Sequence, residues 1–531
     1  MQGAPPVTLV NWLLAFLPLA VLIVLLLVFK WTAAQAGSAG FFVALAVARL
    51  VFQSGLETVS IATAKGIWDG IFILYVVWPA LLLYQVNERA GAFDVFRETV
   101  EGFTKSRLIL VLAFGWVFAS FLQSVAGFGT PIAIVAPLLV EIGVAPIPAV
   151  VIPLIGQAWA NMFGTLGVPW LALLKVVSLQ DPSQAAFVGA ALLWLPNAFA
   201  GVVIAWIYGR TRGLVRALPV IATISLIQGG GQLLLSQVDP VISNFVPNTV
   251  ALFLVLGLVL LPAYREEDAF KSEILTGGES QLPPRLRGRL GFGASILPYL
   301  VLVGVSLLAL LVPAASDLLG RLTVGFPFPE SRTGLGVVVE AAPDYGAFAP
   351  FQHPGTFLLV ATAFAYVLFR KRGLFEPGAE RQVLRATTKN ALPASVAILA
   401  FLTLSKLMDH SGMISLLANG LAAVSPAPVY AFLSNLIGAL GGFMTSSTTA
   451  SNILLGPLQA GTARALALST SVVMGAQSAG AAIADAISPA NIVLGTGTAG
   501  VPGREGEVLK YTLVWVLVTA ALIGAGTLMF L

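Results

Sequence analysis

The stretch Ala126-Gly127-Phe128-Gly129-Thr130-Pro131 interrupts an apolar run that extends from residue 107 to residue 145. Glycine and proline weaken a helix and free backbone polar groups, and hydrocarbon offers those groups no hydrogen-bond partner. A break inside a bilayer is therefore tolerated only where protein or a watery cavity satisfies the backbone. In a membrane protein, this stretch predicts two half-crossing helices that meet at a re-entrant tip.

The composition indicates such a protein. Of 531 residues, 58% are hydrophobic and 10% are charged, whereas soluble domains carry roughly 25% charged residues. The basic residues lie in short groups between apolar runs without interleaved aromatic residues, so we predict no nucleic-acid partner. The absence of cysteine excludes disulfides and thiolate metal sites. Because the two histidines, His353 and His410, are far apart, we also predict no metal and no cofactor.

Apolar runs long enough to cross roughly 30 Å of hydrocarbon as helices occur about twelve times. They lie near residues 9–29, 38–54, 67–86, 147–172, 186–209, 217–236, 248–263, 294–312, 356–369, 391–409, 466–490 and 510–530. The positive-inside rule assigns to the cytoplasm the four segments that hold most Lys and Arg, which are 87–107, 210–216, 263–292 and 370–390. The segments poor in Lys and Arg face outward, and these are 237–247, 313–355 and 410–427. We predict a multi-pass protein of the cell membrane with both termini outside.

A second interruption matches the first in position. The run 428–462 is broken by Thr445-Ser446-Ser447-Thr448-Thr449-Ala450-Ser451-Asn452, and a shift of 320 residues lays the hairpin 107–145 on it. The segment 87–107 is basic, whereas its counterpart 410–427 is uncharged, so the two copies are predicted to lie inverted across the membrane. Inverted repeats with interrupted helices are typical of secondary transporters.

These observations predict an all-α fold of about twelve transmembrane helices plus two re-entrant hairpins, arranged in two inverted repeats. Residues 1–213 would form the first repeat and residues 294–531 the second. Residues 214–293 would form a connecting helix pair and a cytoplasmic loop.

The hairpin tips are candidates for anion binding. A helix N-terminus presents free N–H groups and the positive end of its dipole, and small residues let the backbone approach a ligand closely. Two facing tips would therefore suit a small carboxylate. The tip residues that we predict to bind substrate are Gly127, Phe128, Gly129, Thr130, Ser447, Thr448, Thr449, Ser451 and Asn452.

Ionisable residues within the apolar runs are the candidates for coupling, since each costs about 2.5–3.5 kcal/mol or more at a helix centre. Asp485 lies in an interrupted span and is the first candidate to bind a proton or another coupling ion, the alternative being a helix cap after the break. Lys406 and Asp409 are three residues apart and could form an internal pair beside His410, the alternative being snorkelling at the boundary. Boundary charges are predicted at Asp69, Glu141 and Lys175.

Several motifs resemble the L-lactate permease family, which includes glycolate permeases. They are Ser124-Val-Ala-Gly-Phe-Gly-Thr-Pro131, Phe163-Gly-Thr-Leu-Gly-Val-Pro169, Ser451-Asn452 with Gly456-Pro-Leu-Gln459, and Ile487-Ser-Pro489. The resemblance runs through most of the chain. It implies a proton-coupled importer of short 2-hydroxymonocarboxylates.

The chain departs from that family's pattern at matched positions. Where the family has an Ala-Asn-Thr triplet in both repeats, this chain has Gly156-Gln157-Ala158 and Ala476-Gln477-Ser478. The family also tends to have an acid where Thr448 stands and a lysine where Asp485 stands. We therefore expect Gln157, Gln477 and the adjacent Ser478 to contact the substrate, and Asp485 to carry the proton.

The resulting hypothesis is a secondary active transporter that imports lactate or glycolate by proton symport, with the bilayer and a small carboxylate as its partners. A sodium-coupled carrier of a different carboxylate is the first alternative, and a channel-like membrane subunit is the second. An enzyme is disfavoured, since the sequence has no Asp-rich metal motif and no Gly-x-Ser-x-Gly elbow.

Overall fold

The computed structural model describes residues 7–258, 261, 264–268, 270, 272–276 and 290–531. Helices dominate. Those before residue 260 are α1 (Leu9–Leu27), α2 (Ala33–Leu50), α3 (Leu56–Arg89), α4 (Ala92–Phe103), α5 (Arg107–Leu112), α6 (Ala119–Ala126), α7 (Thr130–Glu141), α8 (Pro146–Ala158), α9 (Gly164–Val176), α10 (Pro182–Ser225), α11 (Gly231–Ser236) and α12 (Phe245–Leu258). Short π-helical segments, Ala113–Phe118 and Leu226–Gly230, join α5 to α6 and α10 to α11.

The helices after residue 290 are α13 (Phe292–Leu311), α14 (Pro313–Leu319), α15 (Pro354–Lys371), α16 (Ala379–His410), α17 (Met413–Val424), α18 (Ala427–Thr445), α19 (Thr448–Ala465), α20 (Thr470–Ile483), α21 (Pro489–Thr498) and α22 (Glu505–Met529). In the part of the chain that the structure describes, short 3-10 turns occur at Trp159–Asn161, Pro350–Gln352 and Ala484–Ile487.

Within the described residues, nine helical segments are long and apolar enough to cross a membrane. A tenth span results if Pro146–Asn161 and Gly164–Val176, which are bent by 48° at their break, are taken together. The helix α10 changes direction at Gly209 and Arg210, where the backbone leaves the helical region, and this agrees with the predicted boundary between two spans. The structure therefore agrees with a multi-pass membrane protein, while the count of twelve spans stays a prediction.

A turn between two helices occurs at each predicted hairpin, but the first arms are longer than half-crossing helices, and their re-entrant position stays a prediction. The run from Arg107 to Ala126 has 20 residues and α18 has 19 residues, and both are long enough to cross a membrane by length and composition. The returning arms are α7 with 12 residues and α19 with 18 residues.

The expectation of an all-α protein is wrong in the loop 313–355. Strands β1 (Val324–Phe328) and β4 (Ala342–Phe348) pair antiparallel, as do the short strands β2 (Ser331–Arg332) and β3 (Val338–Val339). The ring of Phe326 packs edge-on against Trp68 of α3, with the centroids 4.6 Å apart. Burial of aromatic rings against the helix thus stabilises a strand pair that is marginal alone.

The helices α3 and α16 form the most extensive pair in the described structure. A methyl group on Gly66 of α3 would lie 2.7 Å from the Cα atom of Thr403, so glycine permits the two backbones to approach closely. The indole of Trp78 adds a hydrogen bond to Ser395 Oγ at 3.0 Å. Small residues and interhelical hydrogen bonds are the usual means of helix association in lipid.

A chain of buried amides joins α10, α11 and α12. Asn197 donates to Gln228 (2.9 Å), and Gln228 donates to Asn248 (2.8 Å). Asn248 in turn donates to Asn244 (3.1 Å), which donates to Gln232 (2.6 Å). All five side chains are fully buried. Because an unpaired amide is costly away from water, each link depends on its neighbours.

We predict that Asn248→Leu destabilises the protein by about 1–2 kcal/mol, because Gln228 and Asn244 each lose a buried partner. Thermal unfolding in detergent measures this as a lower Tm. Val250→Leu, on the exposed side of the same helix, is the control and should leave the Tm unchanged. Equal Tm values for the two variants would contradict a stabilising role for the amide chain.

Candidate functional site

Four interruptions of the helices meet at one cavity of about 940 Å³. Two are the hairpin tips, at residues 127–129 and 446–447. The other two are the breaks between α8 and α9 and between α20 and α21. Only the second of these, near Asp485, was predicted from the sequence. The polar and tip residues that line the cavity are Lys30, Thr32, Gln123, Phe128, Gly129, Thr165, Asn390, Thr445, Ser446, Ser447, Thr449, Asp485 and Asn491.

The first tip has a left-handed backbone. Gly127, Phe128 and Gly129 have φ values of 29°, 51° and 81°, and glycine adopts such values without the steric cost of a side chain. The amide of Thr130 closes the turn by donating to the carbonyl of Gly127 at 2.9 Å. Pro131 occupies the first turn of α7, where its missing N–H costs nothing. The N-terminus of α7 is thereby held at the cavity, with the ring of Phe128 41% exposed.

The second tip places another helix N-terminus at the same cavity. Ser446 has a φ of 51° and ends α18. Ser447 caps α19, since its Oγ accepts a hydrogen bond from the amide of Ala450 at 3.2 Å. Together with Thr449, these hydroxyls surround a region where backbone N–H groups favour an anion.

Asp485 lies at the wall of the cavity and is 7% exposed. Gln157 Nε2 donates to its Oδ2 at 2.6 Å, and Asn491 Nδ2 donates to its Oδ1 at 2.8 Å. In the part of the chain that the structure describes, no Lys or Arg forms an ion pair with this carboxylate. The carboxylate is thus held by neutral donors and can accept a proton or a small cation without displacing a basic side chain.

The alternative that Asp485 caps the helix after the break is wrong. The residue that caps α21 is Ser488, whose side chain accepts from the amide of Asn491 at 3.4 Å.

Several predicted binding residues lie behind the second tip rather than at the cavity. Gln477 Nε2 donates to Ser451 Oγ at 3.1 Å, and Asn452 Nδ2 donates to Ser478 Oγ at 2.8 Å. Asn452 also donates to the carbonyl of Pro169 at 3.1 Å. These four polar side chains are fully buried and bind one another and the backbone, so their geometry fits support of the tip.

Three further predicted residues are buried beside the cavity without lining it. Gln157 reaches the site only through Asp485. Thr130 belongs to the turn of the first tip, and Thr448 Oγ1 donates to the carbonyl of Ala481 at 3.4 Å.

The predicted trio of Lys406, Asp409 and His410 lies outside the cavity. Lys406 Nζ is 3.1 Å from Asp69 Oδ2 and donates to the carbonyl of Lys175 at 2.6 Å. The expected pair of Lys406 with Asp409 is therefore wrong: the partner of this lysine is Asp69. His410 is buried, with its Nδ1 3.2 Å from Ser331 Oγ.

The prediction that Asp69 and Lys175 are simple boundary charges is wrong. Asp69 is 0% exposed, and its Oδ1 lies 3.8 Å from Lys175 Nζ. Tyr345 of β4 donates from its hydroxyl to Asp69 Oδ2 at 2.7 Å. Burial raises the pKa of the Tyr345 phenol, which keeps it protonated as a donor. This group, with Lys406, is called the outer charge cluster below, after its position on the predicted outer side.

Some lining residues and the partners of Asp69 were not predicted from the sequence. Gln123 and Asn491 are each a single polar residue close in sequence to a break in a helix, and this closeness could have predicted that they line the cavity. The partners of Asp69 could not be predicted in this way, because Lys175 and Lys406 are far from it in the sequence.

Multiple apolar spans around a polar cavity, with four interruptions at its wall, are the architecture of a membrane transport protein. The chain belongs to the L-lactate permease family, whose sequence profile matches residues 11–531. An L-lactate permease of Salmonella typhi is 27% identical over 97% of this chain and 95% of its own length. The glycolate permease GlcA of Escherichia coli K12 is also 27% identical, over the same shares.

The relatives are permeases, and the protein is accordingly a transporter in the cell membrane and not an enzyme. The family resemblance noted in the sequence is thereby confirmed. The solved YdaH transporter of Alcanivorax borkumensis aligns with 88% of this chain and 87% of its own at 16% identity, with a TM-score of 0.48.

We predict that Gly129→Ala lowers the Tm, because an alanine at a φ of 81° costs about 1–2 kcal/mol. Its methyl group would also lie 2.8 Å from Leu494 Cδ2. Gly257→Ala is the control, since nothing lies within 4 Å of the added methyl group. A Tm unchanged by the first substitution would argue against a fixed left-handed tip.

We predict that Asp69→Asn destabilises the protein by about 3–5 kcal/mol, because it leaves the largely buried Lys175 and Lys406 without their counter-charge. Thermal unfolding measures the loss, and Glu57→Gln at the exposed start of α3 is the control. Adding Lys406→Met to Asp69→Asn should recover part of the loss. No recovery would show that the charges are not coupled.

Proposed function

We propose that this protein imports a short 2-hydroxymonocarboxylate, lactate or glycolate, by proton symport. Membership of a family with lactate and glycolate permeases supports the substrate class. The observation that carries the proposal is the cavity itself, where two helix N-termini and one carboxylate without a basic partner line the same space. The first feature suits an anion, and the second suits the proton that accompanies it.

In this mechanism the hairpin tips bind the substrate carboxylate. Backbone N–H groups at the starts of α7 and α19, with the hydroxyls of Ser447 and Thr449, replace the water around the anion. Gln123 and Asn491, beside the interruptions, are the lining amides that we assign to the 2-hydroxyl. Gln157 and Gln477 take a different role from the one predicted, since Gln157 orients Asp485 and Gln477 supports the second tip.

Asp485 carries the proton in this proposal. Its deprotonated form is held by the amides of Gln157 and Asn491. Protonation removes the negative charge that would otherwise repel an arriving substrate anion at the same cavity. Substrate and proton thus favour each other's binding, which is the thermodynamic requirement of symport.

We also propose two inverted repeats and about twelve spans. The bounds of the helices support the repeat: α2 and α15 begin at residues 33 and 354, α4 and α17 at residues 92 and 413, and α5 and α18 at residues 107 and 427. Opposite orientation is supported by charge, because α4 contains charged residues whereas α17 contains none. The cavity reaches Lys30 and Asn390, which the predicted topology places toward the cytoplasm, so we assign this conformation as open to the inside.

Radiolabelled L-lactate and glycolate in proteoliposomes test the function. We expect accumulation driven by an imposed inward proton gradient, with no requirement for sodium. Accumulation that instead requires a sodium gradient would favour the sodium-coupled alternative, for which Asp485 is an equally available ligand. Flux that never saturates would favour a channel.

Asp485→Asn tests the coupling role. We expect it to reduce gradient-driven accumulation at least 10-fold while substrate exchange across the membrane persists, because an amide cannot release a proton. Asp317→Asn, in the loop 313–355, is the matched control and should accumulate substrate normally. Full accumulation by Asp485→Asn would remove the residue from the coupling mechanism.

A further inference from the structure

A second cavity, of about 510 Å³, lies at the opposite end of the same group of helices. It is bounded by the segment after α9, the end of α16, α17 and the end of α19. The predicted topology places all four of these on the outer side. Its polar lining comprises Ser178, Asp409, Ser415, Asn419 and Arg464.

Arg464 and Asp409 are both exposed in this cavity. Across the described ranges, neither side chain has a hydrogen bond or an ion pair within 4.0 Å, although the positive charge of Arg464 acts on Asp409 from a greater distance. Arginine at a helix C-terminus often serves only to offset the dipole. That role does not require a polar cavity around the guanidinium or an acid in the lining of the same cavity.

The outer charge cluster adjoins this cavity. Asp409 follows Lys406 by three residues in α16, and the lining residue Val176 directly follows Lys175. The cluster holds two lysines against one aspartate, and Lys65 is also buried there, 5.1 Å from the ring centroid of Tyr345. This excess of positive charge at the inner end of the cavity favours the entry of an anion.

We propose that this outer cavity is a docking site for the incoming 2-hydroxymonocarboxylate. Arg464 binds the carboxylate, because a guanidinium presents paired donors that match its two oxygens. Asp409 accepts a hydrogen bond from the 2-hydroxyl group, so the site distinguishes a 2-hydroxy acid from the acid that lacks the hydroxyl. This inference rests on the proposed transport of such acids.

Uptake into right-side-out membrane vesicles tests the site. Arg464→Gln should raise the KM for external L-lactate at least 10-fold while the maximal rate stays within about 2-fold, since loss of a charged hydrogen bond costs binding and not translocation. Arg464→Lys should recover part of the affinity. Arg321→Gln, an exposed arginine of the loop 313–355, is the matched control and should retain the KM of the original protein.

Inside-out vesicles separate docking from a structural role. With Arg464→Gln, the KM measured from the cytoplasmic face should stay unchanged, because the substrate then enters through the other cavity. An equal loss of maximal rate from both faces, or an unchanged external KM, would overturn the docking site.

Asp409→Asn gives an independent measurement through selectivity. The original protein should prefer external L-lactate over propionate, and the variant should lose at least 5-fold of that preference. Unchanged selectivity would remove Asp409 from the site. If the original protein transports no 2-hydroxy acid at all, the proposed function itself fails. If it does, and the Arg464 and Asp409 variants keep its external KM and its selectivity, only the docking site is contradicted.

Discussion

The structure depends on one constraint: backbone N–H and C=O groups inside a bilayer need partners from the protein or from a cavity. Four interruptions of helices would be costly if they were scattered. Here they share one cavity, so that each exposes its free backbone groups to the same polar space. The groups that make a break costly in hydrocarbon are those that can replace water around an anion, so one arrangement meets the demand for stability and suits the proposed binding.

Local chemistry explains why the tips were predictable. Gly127, Gly129 and Pro131 mark a left-handed turn followed by a helix start, and the sequence alone contains that information. The direction of polar side chains near a break was not predictable in the same way. Ser451 donates to the carbonyl of Gly438 in α18 rather than facing the cavity, because α18 and α19 pack against each other.

The outer charge cluster was missed for a different reason. A charge near the end of an apolar run has the same sequence pattern whether it meets water or a buried partner. Asp69, Lys175 and Lys406 are brought together from α3, α9 and α16, and Tyr345 reaches them from a strand in a loop. Only the packing of the helices determines that these groups meet, and the β1–β4 sheet forms because its rings pack on Trp68.

The hydrogen bond between Tyr345 and Asp69 has a practical consequence for protein engineering. Long loops between spans are usually where epitope tags, reporter fusions and protease sites are inserted, since they tolerate added sequence. The loop 313–355 is an exception near β4, because an insertion there would pull a donor away from a buried aspartate. In the segment 237–247, residues 241–245 are buried and Asn244 belongs to the chain of buried amides, so a topology tag there is confined to the exposed Gln237 and Val238.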